Sequence, residues 1–307
     1  MKEFLAMLAA HSGVQDAALL EQDVRLHLLL RDLVQHPDLG TRLVFRGGTC
    51  LVKCYLGYYR FSVDLDFTAT GGAETARLGA KEARRQLRPL QRQIAVTLAD
   101  HAARETLQFD PRRDLKFGQS NRMMTAFLHY ESTSRRVMTI KVDFNFAEPL
   151  EFSPKRLDAV GLLRTPFAAS IALVDSDLPD RYGAPIPVTA YEPREILAEK
   201  GRALLTRRAA KTRDLVDLFL LERDLGLHLE EFLPAVRTKT ARAIAAASRY
   251  RENLKLIETR FDFMRGDDPT SLLLKPLDND AFGKYRDRVL DALLVEAEAL
   301  RVVGTKS

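Results

Sequence analysis

The stretch FRGGTCLVKCYLGYYRFSVDLDF, residues 45–67, decides how this chain is read. An apolar run ends in two glycines and a threonine, a helix-like segment follows, and FSVDLDFTA (61–69) then alternates with a period of two. That period assigns a strand with Val63, Leu65 and Phe67 on one face and Ser62, Asp64 and Asp66 on the other. Aspartate is disfavoured at strand centres, and a buried carboxylate is costly unless paired or bound to metal. Three polar side chains on one face of an otherwise apolar strand therefore point to a site.

Outward from that stretch, EQDVRLHLLLRDLVQHP (21–37) has helical spacing and TRLVF (41–45) reads as a short strand. Gly47, Gly48 and Thr49 break it and open the helix TCLVKCYLG. Residues 73–95 read as a long basic amphipathic helix. MMTAFLHYES (123–132) and VMTIKVDFNF (137–146) read as an antiparallel pair. The second of them puts Ile140, Val142, Phe144 and Phe146 on one face and Lys141, Asp143 and Asn145 on the other. PIPVTAY (185–191) reads as an edge strand or an extended linker, because of its prolines. From Glu192 the pattern is helical, with helices expected at about 193–209, 213–225, 229–247, 250–262 and 279–301 and Thr212 as an N-cap. The expectation is an α+β domain over 1–190, with a mixed sheet and flanking helices, followed by an all-α helical domain over 191–307.

The chain has 307 residues, 46% of them hydrophobic, enough for one large or two ordinary domains. No run approaches the roughly 20 apolar residues of a membrane span. The N-terminus meets acidic and polar residues too early for a secretory signal, so the chain is read as cytoplasmic, with no membrane partner. Cys50 and Cys54 lie four apart on a helix and are read as small core residues rather than a disulfide. The net charge of +5 is concentrated in three basic runs, at 77–92, 200–213 and 237–260. Each alone suits a solvated helix face; together they suit a polyanionic partner.

If the two Asp-bearing strands are neighbours, Asp64, Asp66 and Asp143 converge. Three carboxylates a few Å apart repel one another, and a divalent cation reverses that. Oxygen ligands without His or Cys suit Mg²⁺ or Mn²⁺. Gly47 and Gly48 let the backbone approach a phosphate, the helix N-terminus offers N–H groups, and Thr49 adds a hydroxyl. Phosphates on the turn and metals on the aspartates would hold an NTP.

This arrangement resembles the nucleotidyltransferase fold of the DNA polymerase β superfamily. The longer stretch, with Arg60 and Ser62 before the Asp pair, is similar to the AbiEii (also called MenT) toxins of bacterial toxin–antitoxin and abortive-infection systems. TIKVDFNF (139–146) and REILAEKGRALLTRRAAKTRDLVDL (194–218) resemble that family's later motifs. The resemblance implies that Asp64, Asp66 and Asp143 bind the metals, Asp143 also serving as the base that activates an attacking hydroxyl. It implies that Gly47, Gly48 and Thr49 cradle phosphates, with Ser62 beside them. Lys200 would neutralise the triphosphate, with Asp214, or alternatively Asp217, near it. The implied activity is Mg²⁺-dependent transfer of a nucleoside monophosphate to RNA, at the tRNA 3′ end, by a toxin with a cognate antitoxin protein. The alternative is NTP-dependent modification of a protein. If Ser62 is a control point, modifying it would block NTP.

Overall fold

The structure, a computed structural model, describes residues 1–163, 177–209, 211–269 and 273–303. They fall into two compact units, Met1–Tyr191 and Glu192–Ser307.

The first unit is built on a seven-stranded mixed sheet in the order β3-β4-β5-β2-β1-β7-β6. Its strands are β1 (Leu43–Arg46), β2 (Asp64–Ala69), β3 (Leu115–Gly118), β4 (Met123–Glu131), β5 (Val137–Asn145), β6 (Lys155–Ala159) and β7 (Ile186–Ala190). β2 pairs antiparallel with β1 and parallel with β5. One cross-strand row places Phe45, Phe67 and Phe144 side by side. Phe67 and Phe144 stack at 5.5 Å between ring centroids, and Phe45 and Phe67 lie at 5.7 Å. All three rings are buried. Side chains alternate, so fixing this row on the core fixes the next row on the opposite face. That next row is Arg46, Asp66, Asp143 and Thr125.

Helix Ala17–Gln35 starts four residues before the expected point, because the Asp16 carboxylate accepts from the N–H groups of Ala18 and Leu19. The basic helix expected over 73–95 is two helices, Gly72–Arg77 and Ala80–Arg104, separated around Gly79. In the longer one Ala83, Leu87, Leu90, Ile94 and Leu98 are buried while Lys81, Arg84, Arg85, Arg88 and Arg92 are exposed. β7 is neither an edge strand nor a linker. It lies inside the sheet, parallel to β1 and antiparallel to β6. Pro187 is tolerated there because the β1 ladder reaches β7 only at Phe45 opposite Ala190. The missing proline N–H falls outside that ladder.

A buried polar cluster ties the first unit together behind the Gly-Gly turn. Lys53, in a π-helical turn (Val52–Leu56), is ion-paired to Asp23 at 2.8 Å. Tyr182 donates to the same carboxylate at 2.6 Å, and Tyr58 at 2.8 Å. Cys50 is buried and Cys54 half-buried, and neither is in a disulfide.

The second unit is helical throughout its described elements: Pro193–Thr206, Thr212–Leu225, a short turn at Leu229–Phe232, Leu233–Ala246, Arg249–Lys255, Ile257–Gly266 and Asn279–Val303. Thr212 is not an N-cap; it is the first helical residue, and its hydroxyl donates to the Asp267 carboxylate. Arg260 is buried and donates to the carbonyls of Leu204, Leu205, Arg207 and Asn253, closing the C-terminus of helix Pro193–Thr206. Among the described residues no helix is long and apolar enough to cross a membrane.

Candidate active site

The polar row on β2 and β5 is the centre of the candidate site. Asp66 lies across the ladder from Asp143, and Asp64 across from Lys141. All four side chains therefore stand on one face, opposite the phenylalanine row. Asp143 is held from two sides. Its Oδ1 accepts from the Thr125 hydroxyl at 2.6 Å, and its Oδ2 is ion-paired with Lys141. Burial by itself would lower the Lys141 pKa, but the hydrogen bond and charge of Asp143, then the charges of Asp64 and Asp66, raise it overall. One ammonium thus feels all three carboxylates.

The turn before β2 packs directly onto this row. Gly47 has φ +79°, in the left-handed region, and a Cβ there would stand 2.5 Å from Asp66 Oδ2. The left-handed φ requires glycine, and a Cβ would also push the Asp66 carboxylate aside. A Cβ on Gly48 would stand 2.4 Å from the Arg60 guanidinium and 3.3 Å from Ser62 Oγ. Arg60 is 3% exposed and donates to the Phe61 carbonyl at 2.9 Å. The Thr49 hydroxyl donates to the Asp64 carbonyl and lies 2.8 Å from Ser62 Oγ. Thr49 is buried, so its hydroxyl ties the turn to the start of β2. A Gly47→Ala variant combines left-handed strain with a clash against the metal-side carboxylate. It should lose about 2 kcal/mol of stability and lose transfer activity more steeply than stability; denaturant unfolding and label incorporation, measured in parallel, check this.

Within the second unit, Lys200 is buried between Asp214, at 3.1 Å, and Asp217. Arg207 pairs with the other oxygen of Asp214. Burial pushes the Asp214 pKa up, and the charges of Lys200 and Arg207 outweigh it, so the group is held below its ordinary value. Asp214 and Asp217 therefore face the same lysine.

Two of the basic runs are open only in part: Arg208, Lys211, Arg242, Arg249 and Arg251 are exposed, while others are buried or paired. In 200–213, Lys200 and Arg207 are neutralised by aspartates, and Ala210 lies outside the described residues. In 237–260, Lys239 is buried against Glu195 at 2.7 Å and Arg260 caps carbonyls. Helix Ala80–Arg104 keeps its arginine face exposed. Lys141 and Thr125 were not picked out as site residues from the sequence. Lys141 stood on the polar face of its strand, and Thr125 becomes visible only once the β4–β5 register is known.

Among the described residues no three His, Cys, Asp or Glu side chains stand close enough to hold one ion as they lie. Asp143 is instead turned onto Lys141 and Thr125. The donor set is nonetheless that of a hard divalent cation: carboxylate oxygens only, on one face, in a field that already draws in an ammonium. The residues fit such an ion.

A family model described as "Nucleotidyl transferase AbiEii toxin, Type IV TA system" matches residues 28–293. Among solved structures the chain is similar to MenT4, a nucleotidyltransferase toxin from Mycobacterium tuberculosis H37Rv. That match has a TM-score of 0.52 at 22% identity and covers 94% of this chain and 89% of that one. At that identity the likeness is one of fold. A search of curated proteins finds no match.

Proposed function

This chain belongs to the AbiEii family of nucleotidyl transferase toxins of type IV toxin–antitoxin systems, and we propose that it transfers a nucleoside monophosphate from an NTP to an RNA acceptor, the 3′ end of a tRNA. As a toxin of such a system it has an antitoxin partner. The observation that carries the reading is the row Asp66–Asp143 with Asp64 beside it, packed against the glycine turn.

In the proposed reaction the acceptor 3′ oxygen attacks the α-phosphorus and forms a new P–O bond. The α–β bridging P–O bond breaks, and pyrophosphate leaves. The acceptor proton passes to Asp143, whose carboxylate is kept in place by Thr125. Asp64 and Asp66, with Asp143, would hold Mg²⁺ or Mn²⁺, which when bound would offset phosphate charge and orient the nucleotide. Gly47 and Gly48 let the turn's backbone come close to the phosphates. Ser62, beside Thr49, shares that turn, and a phosphate placed on it would set negative charge against the incoming NTP. Replacing Lys200 or Asp214 is expected to abolish transfer. An RNA acceptor sets the reaction in the cytoplasm.

The exposed arginines of helix Ala80–Arg104 supply the phosphate contacts of this proposal. Changing Arg84, Arg88 and Arg92 together to Glu should weaken RNA binding, and the slope of log affinity against log salt should fall in magnitude by about 2. The protein is incubated with Mg²⁺, each labelled NTP and total RNA. Label on RNA that depends on these arginines supports the proposal. Label on protein selects modification of a protein instead.

A further inference from the structure

Lys141 stands two residues before Asp143 on the same face of β5 and directly across the ladder from Asp64. Its ammonium is paired with Asp143, and its side chain is 40% exposed. Asp64, Asp66 and Asp143 repel one another, and two cations stand in their rows: Arg46, buried, across β1 from Asp66, and Lys141 across β5 from Asp64. β2 and β5 keep their register across this row all the same, over the five paired positions from Asp64–Lys141 to Thr68–Asn145. We propose that Lys141, the more exposed of the two, is a tethered and exchangeable counter-ion, which helps hold the three carboxylates together when no divalent cation is bound and is displaced when one enters. The inference rests on reading the three aspartates as ligands of such a cation.

The chemistry of the residues suits an exchange. Lysine carries a compact charge on a flexible four-carbon stem. This one is exposed enough for the ammonium to swing into solvent without disturbing the phenylalanine row behind it. Asp143 has a separate anchor for each oxygen. Thr125 holds Oδ1, so the carboxylate stays in place while Oδ2 gives up Lys141 and takes the cation. A cation must then outcompete a resident positive charge, which makes the site weaker and more selective for double charge than three bare aspartates would be.

Lys141→Met keeps the stem's volume and removes the charge. Two measurements test the proposal, both without nucleotide: calorimetric titration with Mn²⁺, and thermal unfolding in a chelator. Lys141→Met should bind Mn²⁺ about tenfold more tightly than the wild type, and Lys141→Arg should bind as the wild type does. Without metal, Lys141→Met should unfold several degrees lower, and saturating Mn²⁺ should restore it. A Lys141→Met protein that folds only when Mn²⁺ is added supports the proposal equally. Equal Mn²⁺ affinity in the wild type and Lys141→Met overturns it, as does an unchanged or higher metal-free midpoint. If Mn²⁺ binds the wild type and is lost in Asp66→Asn while Lys141→Met is unchanged, the counter-ion role fails and the metal reading stands. If Mn²⁺ binds none of these proteins, both fail.

Discussion

Asp66→Asn should abolish nucleotidyl transfer and leave the protein folded. The substitution keeps the shape of the side chain and removes one negative charge from the row that faces Asp143 and underlies Gly47. The phenylalanine row on the other face of β2 does not sense it, since alternate side chains of a strand point apart. Loss of this charge relieves the repulsion with Asp143 and weakens the attraction to Arg46 across β1, and with the two opposed the unfolding midpoint should stay within a few degrees of the wild type. Activity responds differently. An amide is a much poorer ligand for a hard cation than a carboxylate. Loss of a single group that stabilises transition-state charge lowers turnover by on the order of a thousandfold. The measurement is label incorporation from NTP at saturating Mg²⁺, beside circular dichroism of the same preparation. Residual activity within about tenfold of the wild type, in a folded protein, would sink the assignment. Asp64→Asn should behave likewise. Thr125→Val should lose less, because it frees one oxygen of Asp143 without removing a charge.

The parts of this fold that the sequence carries are those in which periodicity and burial coincide. β2 and β5 both alternate between apolar and polar positions, and both bury their apolar face completely: Leu65, Phe67, Val142 and Phe144 are at most 1% exposed. Period two then assigns the aspartates to one face, and parallel pairing brings Asp66 beside Asp143. β3 and β6 carry no such signal. Most of their residues are exposed, and they hold their places through hydrogen bonds to β4 and β7. The prolines of β7 suggest an edge strand or a linker, since a missing N–H argues against an inner strand. That rule assumes a full ladder on both sides, and here the ladder with β1 has a single paired position. Charge runs are legible only in part. Arg208, Lys211, Arg242, Arg249 and Arg251 are exposed, as the runs suggest, but two lysines in them are buried against acids elsewhere in the chain. Lys239 meets Glu195, and Lys200 meets Asp217, across turns that no local pattern announces. Lys141 went unassigned because a lysine on a polar strand face is ordinary. Its meaning came from what stands opposite it.

Lys53→Met should destabilise the first unit strongly, and the deficit should shrink as the solution is acidified. Lys53 and Asp23 are both buried, 2.8 Å apart, and the carboxylate also accepts from Tyr58 and Tyr182. Removing the cation leaves an anion in the interior with hydroxyl partners alone, which costs about 3 kcal/mol or more. The pH dependence follows from the proton. In the wild type, burial pushes the Asp23 pKa up, but the charge and hydrogen bond of Lys53, with the Tyr182 hydroxyl, bring it below the ordinary 3.8. The folded protein thus holds this proton less tightly than the unfolded chain. The resulting stabilisation is whole above about pH 4 and is lost as pH falls through the lower folded value. Without Lys53 burial dominates, and the folded carboxyl binds its proton more tightly than the unfolded chain does. The variant therefore gains stability, relative to the wild type, as pH falls toward 4. His27 moves the difference the same way. Burial and the Lys53 charge press its pKa from 6.5 to about 3, so the wild type loses stability as pH falls below 6.5. With Lys53 gone that penalty is smaller. Denaturant unfolding of both proteins at pH 7 and pH 4.5 measures the gap directly. Adding Asp23→Asn to Lys53→Met removes the orphaned charge and should recover more than half of the loss at pH 7, while at pH 4.5 it should recover less. A deficit under about 1 kcal/mol, or one that is equal at the two pH values, would show that the ion pair does not carry the packing behind the glycine turn.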